Sequence, residues 1–150
     1  MSESKTFQVG YLVGSLTTGS LNRLLAKALI RLAPKTLEFT EIEFRDLPLY
    51  SADYDADFPP VATAFKQSLA NMDAVLFVTP EYNRSIPGGL KNAIDWASRP
   101  YGKNAFARKP SAVIGTSPGA IGTAAESAAT LRSCPKPSRI GCRKAAVRTM

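Results

Sequence analysis

Apolar residues fall in short runs along the chain, and their spacing alternates between a period of two and a period near 3.6. Phe7-Gln8-Val9-Gly10-Tyr11-Leu12-Val13 predicts a strand, ended by Gly14. Residues 15–19 form a loop of small hydroxyl side chains and glycine, and Ser20 has the chemistry of a helix N-cap. Leu21, Leu24, Leu25, Ala28, Leu29 and Leu32 then recur at helical spacing until Pro34. Residues 37–44 alternate apolar and polar, which predicts a half-buried strand near the sheet edge. A loop follows over 46–60. The next helix is expected over 61–71, with Val61, Ala64, Phe65, Leu69 and Met72 on one face. Residues 74–79 are continuously apolar, as a central parallel strand covered on both faces would be. A loop over 80–87 leads into a helix over 87–98, with Pro87 suited to its first turn. Residues 111–116 predict a further strand, 117–122 a glycine-bearing loop, and a last helix starts near Thr123.

This order, βαβαβαβ(α), predicts a parallel sheet with helices on both faces. Ligands of such sheets bind beyond the strand C-termini, at the point where the strand order reverses. Three loops reach that edge: 14–20, 80–86 and 117–122. The 150 residues predict one domain, long enough to bury roughly 68–70% of its unfolded surface. With 45% hydrophobic and 21% charged residues the composition is that of a soluble globular chain. No apolar run approaches the roughly 18 residues of a membrane span, and the polar start predicts no signal peptide, so the expected location is the cytoplasm.

Charge and chemistry narrow the function. The chain has no histidine, which excludes His-based triads and His-ligated metals. Its two cysteines, Cys134 and Cys142, form no CxxC pair. The net charge of +7 is concentrated in residues 127–150, which hold six basic residues and no acidic one; residues 1–126 carry 13 basic and 12 acidic. The body is therefore nearly neutral, and a nucleic-acid partner is not expected. Asp53, Asp55 and Asp57 alternate as in a calcium loop but lack the glycine and closing glutamate of an EF-hand, so no metal is expected. Trp96, in step with Leu90, Ala93 and Ala97, reads as core or subunit contact.

The first loop, Gly14-Ser15-Leu16-Thr17-Thr18-Gly19-Ser20-Leu21-Asn22, is neither a Walker loop nor a GxGxxG turn. It offers four hydroxyls, an amide and free N–H groups at a helix N-terminus, a combination that holds a monophosphate without a lysine. The same residues also serve as a plain turn with an N-cap. In the second loop, two prolines stiffen the backbone and Gly88-Gly89 let the next helix approach closely. Tyr82 and Ile86 can cover a planar ring while Asn83 and backbone N–H groups bond its edge. Alternatively, Tyr82 packs on the surface and Glu81 and Arg84 pair with each other or with another subunit. In the third loop, Gly119 and Gly122 are consistent with a turn alone. No serine or cysteine nucleophile has a base beside it, and no carboxylate pair is recognisable.

Together, the first loop with Arg23, Leu47-Pro48-Leu49-Tyr50, and the long segment Thr79-Pro80-Glu81-Tyr82-Asn83-Arg84-Ser85-Ile86-Pro87-Gly88-Gly89-Leu90-Lys91-Asn92-Ala93-Ile94-Asp95-Trp96 resemble the NADPH-dependent FMN reductase family, which includes chromate and quinone reductases and related azoreductases. The resemblance covers roughly residues 5–125. It implies a flavodoxin-like α/β three-layer sandwich with strand order 2-1-3-4, and non-covalent FMN. It also implies that Ser15, Thr17, Ser20 and Asn22 surround the FMN phosphate, that Pro80, Glu81, Tyr82 and Asn83 lie along the isoalloxazine ring, and that Ser117 and Gly119 close its far side. Many members carry arginine where this chain has Thr17. Hydride would pass from NADPH or NADH to the flavin and then to flavin, quinone, azo compound or chromate in a ping-pong sequence, with Tyr82 and Asn83 positioning the ring and no side chain acting as acid or base. Assembly as a homodimer or homotetramer is implied too.

Beyond about residue 125 the resemblance ends: the family's next helix, fifth strand and last helix are not recognisable in this sequence. Ser127-Ala128-Ala129-Thr130 can be encoded AGC GCA GCA ACA, and reading from the second base gives Ala-Gln-Gln-His, the family's segment at this point. The sequence thus divides into a flavodoxin-like FMN-binding domain, 1–125, and an atypical basic tail, 126–150, expected to be frameshifted. Loss of the fifth strand would expose the edge of the 111–116 strand.

Overall fold

The computed structural model describes residues 5–117. Four strands, β1 (Phe7–Val13), β2 (Leu37–Glu41), β3 (Ala74–Val78) and β4 (Ser111–Ile114), form one parallel sheet in the order β2-β1-β3-β4. Three helices, α1 (Leu21–Leu32), α2 (Pro60–Ala70) and α3 (Gly88–Ser98), connect them, with a 3-10 turn at Ala52–Asp55 before α2. Helix α1 packs on one face with Val13, Val78 and Ile114, while α2 and α3 cover the other with Leu12, Val75, Phe77 and Val113. The result is the expected flavodoxin-like sandwich. Among the described residues, no helix is long and apolar enough to cross a membrane.

β2 is shorter than expected, and the sequence explains why. Leu37 and Phe39 share one parity, whereas Ile42 and Phe44 share the other; the phase breaks at Thr40-Glu41. A strand presents one parity per face, so β2 ends at Glu41 and the buried Ile42 and Phe44 turn into the α2–α3 side of the core. The helix faces also differ from expectation. In α2 the buried residues are Ala62, Phe65 and Leu69, while Val61 and Ala64 face outward, because the small Ala62 lets the helix lie close to the core. In α1 Asn22 and Ala26 are buried, whereas Leu21, Leu24 and Leu32 are exposed.

Trp96 lies in the core. Its indole N–H donates to the Pro48 carbonyl at 2.7 Å, and Tyr50, Tyr54 and Phe58 surround it. Asn92 holds the same loop, donating to the Pro48 carbonyl and accepting from the Tyr50 N–H, both at 2.9 Å. Neither α2 nor α3 has a basic residue in its last turn. Distant lysines serve instead. Lys109 donates to the Ala70 and Met72 carbonyls after α2. Lys66 reaches from α2 to the carbonyls of Ala97, Arg99 and Lys103. Desolvation lowers the pKa of both ammonium groups, a cost that these acceptors offset.

Candidate functional site

The strand order reverses between β1 and β3, so the loops that follow these two strands flank the switch point. There a cavity of about 360 Å³ is lined by Gly14, Leu16 and Thr17 from the first loop and by Tyr82, Pro87, Gly88 and Gly89 from the second. Two larger clefts, of about 470 and 460 Å³, lie against α2 instead. Size does not decide between them. The Lys66 ammonium in the largest is already bonded to three carbonyls, whereas the switch-point cavity is walled by donors without acceptors.

Those donors come first from loop 14–20. Gly14 N–H still belongs to the sheet, donating to the Val78 carbonyl at 2.9 Å, and Ser20 N–H closes the loop onto the Thr17 carbonyl at 3.2 Å. Between them, the N–H groups of Ser15, Leu16, Thr17, Thr18 and Gly19 have no acceptor among the described residues. Ser20 is the N-cap of α1, its hydroxyl accepting from the Arg23 N–H. Ser15 is only 5% exposed, and its hydroxyl has no partner among the described residues. Buried hydroxyls are normally bonded, so this one is an open valence in the loop whose neighbours Gly14, Leu16 and Thr17 line the cavity. Thr17 and Thr18 are exposed at the rim.

Asn22 behaves differently from its neighbours. Its side-chain amide donates to the Thr116 carbonyl and accepts from the Thr116 N–H, both at 3.0 Å, across 94 positions of sequence. The amide therefore ties the segment just after β4 to the start of α1. Gly119 lies outside the described residues.

In the second loop Pro80 is buried and Glu81 half-buried, whereas Tyr82 is 48% exposed. Tyr82 and Ser85 exchange backbone hydrogen bonds of 2.9 and 3.0 Å around Asn83 and Arg84, whose φ angles are +51° and +61°. This is a two-residue hairpin of type I′. Gly88 and Gly89 do not serve close helix packing, contrary to expectation. A Cβ on Gly88 would meet no atom within 4 Å, and one on Gly89 would make ordinary contacts with Leu16 and Phe44 at 3.5 and 3.7 Å. Both instead line the cavity at an α3 N-terminus that no side chain caps, with Gly88 facing open space. The close approach lies elsewhere: a Cβ on Gly14 would stand 2.2 Å from Thr79 Oγ1.

Three of these contacts were not legible beforehand. Thr79 read only as the end of a strand, the Asn22–Thr116 bridge has no local signature, and Arg45 donates from beyond β2 to the Leu16 carbonyl at 2.6 Å. A glycine closing β1 was the one available hint of the tight Gly14–Thr79 contact.

The parallel sheet of order β2-β1-β3-β4, with a loop of N–H groups unpaired among the described residues at its switch point, defines a flavodoxin-like domain. The chain belongs to the NADPH-dependent FMN reductase family, whose sequence profile matches residues 7–134. It is 58% identical over 117 residues to a 2-hydroxy-1,4-benzoquinone reductase of a Burkholderia species, covering 78% of this chain and 64% of that protein. It is 53% identical over 120 residues to a quinone reductase of Pseudomonas putida, with 79% and 64% covered. Among solved structures, FerB, a flavoenzyme NAD(P)H:(acceptor) oxidoreductase from Paracoccus denitrificans, superposes with a TM-score of 0.80 at 44% identity, covering 95% of this chain and 76% of FerB. The chain thus spans 64% of the length of the two curated relatives.

Proposed function

We propose that this chain is an FMN-dependent NAD(P)H oxidoreductase that passes a hydride to a small acceptor of the quinone class. The observation that carries the reading is the buried Ser15 hydroxyl, unpartnered among the described residues, within a loop of N–H groups likewise unpaired among them at a helix N-terminus. A phosphate monoester satisfies such donors through charge-assisted hydrogen bonds and the helix dipole. The open glycine backbone at Gly88-Gly89 leaves room beside Tyr82 for a planar ring. The donor set therefore fits FMN. The names of the two bacterial relatives favour quinones over azo compounds, free flavin or chromate.

In this reading Ser15, Thr17 and Ser20 hold the phosphate. Pro80, Glu81, Tyr82 and Asn83 lie along the ring, with Ser117 and Gly119 on its far side. Asn22 is a positioning residue, because its amide is already bonded to Thr116. Bound FMN would supply two-electron chemistry, accepting hydride from NAD(P)H and yielding it to the acceptor in separate half-reactions, a ping-pong sequence. The rigid hairpin at 82–85 keeps Tyr82 and Asn83 in place, and both helix N-termini present positive potential to the bound anion. Self-association as a homodimer or homotetramer belongs to the same reading. So does the division into an FMN-binding domain, 1–125, and a frameshifted basic tail, 126–150, which sequencing of the coding DNA tests.

The absorbance spectrum of the purified protein, before and after anaerobic NADPH, tests the function. A flavin band that bleaches, and recovers on adding benzoquinone, is the expected result. A flavin band that NADPH leaves unchanged would make the chain an FMN-binding protein without reductase activity. No band in a folded protein supplied with FMN would overturn the reading.

A further inference from the structure

Type I′ hairpins need positive φ at both central residues, and Asn followed by Gly is their favoured sequence. Here the second position is Arg84, at φ +61°. Asparagine tolerates this left-handed backbone, but arginine gains nothing local from it and carries the steric cost of its Cβ. The two Tyr82–Ser85 backbone bonds hold the turn whichever residue stands second, so they do not account for an arginine there. Arg84 is exposed, and its guanidinium makes no hydrogen bond or ion pair among the described residues. Two arginines near the first loop are engaged: Arg23 of α1 pairs with Glu41, and Arg45 donates to the Leu16 carbonyl. Arg84 is therefore an unspent cation held in a costly conformation two residues from Tyr82, which lines the switch-point cavity.

The two substrates of the proposed reaction differ in charge. A quinone is neutral, whereas a nicotinamide dinucleotide carries a pyrophosphate, and NADPH a further 2′-phosphate. A planar guanidinium on a stiff hairpin that starts from the cavity-lining Tyr82 recognises phosphate oxygens and not a quinone. The geometry points to Arg84 as the residue that binds a phosphate group of the hydride donor and so sets donor affinity. This inference rests on the FMN reductase reading. Local strain retained at a functional position is the physical signature it uses.

The test compares the unaltered FMN-loaded protein with Arg84→Gly and Arg84→Lys. Arg84→Gly completes the favoured Asn-Gly turn, so its melting temperature should be equal or higher. Its KM for the donor should nevertheless rise about tenfold, the loss of one charge-assisted contact, with kcat, the quinone KM and FMN affinity unchanged. Arg84→Lys should recover part of the donor affinity without the gain in stability. A KM that rises only for NADPH assigns the contact to the 2′-phosphate; an equal rise for NADH assigns it to the pyrophosphate. An unchanged donor KM in Arg84→Gly, or a lower melting temperature, overturns the inference and leaves a structural residue. If the unaltered protein binds no FMN in titration, the parent reading fails and this one with it; normal FMN binding with an unchanged donor KM sinks this one alone.

Discussion

Ser15 and Gly14 are adjacent and do opposite work. The Ser15 hydroxyl bonds to nothing described in the protein, so removing it should cost the fold little. Ser15→Ala is expected to keep its melting temperature within a degree or two. It should lose about 1.5–3 kcal/mol of FMN affinity, the worth of a hydrogen bond to a charged group. Fluorescence titration of the apoprotein with FMN measures that loss. Gly14 is the converse case. Its missing Cβ is what lets the end of β1 lie against buried Thr79. Gly14→Ala should destabilise by about 1–3 kcal/mol through overpacking, read from the urea midpoint, with a parallel loss of FMN binding because the loop begins there. The importance of Ser15 was legible from its neighbours in sequence. The importance of Thr79 was not, since only the register of β1 on β3 sets it beside Gly14.

The elements are tied by a few side chains reaching across long sequence intervals. Asn22 joins α1 to the segment just after β4. Asn22→Ala should cost about 2–3 kcal/mol, because it leaves both Thr116 backbone groups without their partner. It should weaken FMN binding only indirectly, through displacement of loop 115–117. Asn22→Asp keeps the acceptor but sets a buried carboxylate against the Thr116 carbonyl, so it should cost at least as much; urea unfolding of both variants ranks them. Lys66 does the same service for α3, its ammonium saturating carbonyls past the helix end. Lys66→Met keeps the apolar stem near Phe58 but drops those bonds, and should lower stability by about 1–3 kcal/mol. Element type and order followed from periodicity and from Ser20, Pro34 and Pro87. Helix faces followed less well, because Ala62 and Ala26 are buried through their small size, a choice that hydrophobic spacing does not encode.

For the whole molecule, the distribution of exposed apolar side chains bears on assembly. Leu49, in the loop that wraps Trp96, is 84% exposed, and Tyr101 is 95% exposed. Large exposed apolar groups on a nearly neutral body favour self-association. Light scattering with size-exclusion chromatography should give a mass of two or four chains, insensitive to salt if apolar contact dominates. A monomeric mass would remove that part of the functional reading. The long Thr79–Trp96 segment was enough to set the fold family and the cofactor class as expectations, since so many of its positions carry the resemblance.

By itself, the sequence determined the alternation of strands and helices, the parallel sheet and the loops after β1 and β3 at its C-terminal edge. Each of these follows from local spacing and from capping or turn-forming residues, which act within a few positions. The tertiary structure alone decided which donors in those loops remain unpaired. Among the described residues it spent Asn22 on Thr116, left the Ser15 hydroxyl and the Arg84 guanidinium without partners, and set Gly88 and Gly89 along the cavity. A hydrogen-bonding group announces its chemistry in sequence, but whether it is already satisfied depends on partners that only the packed chain brings within 3 Å.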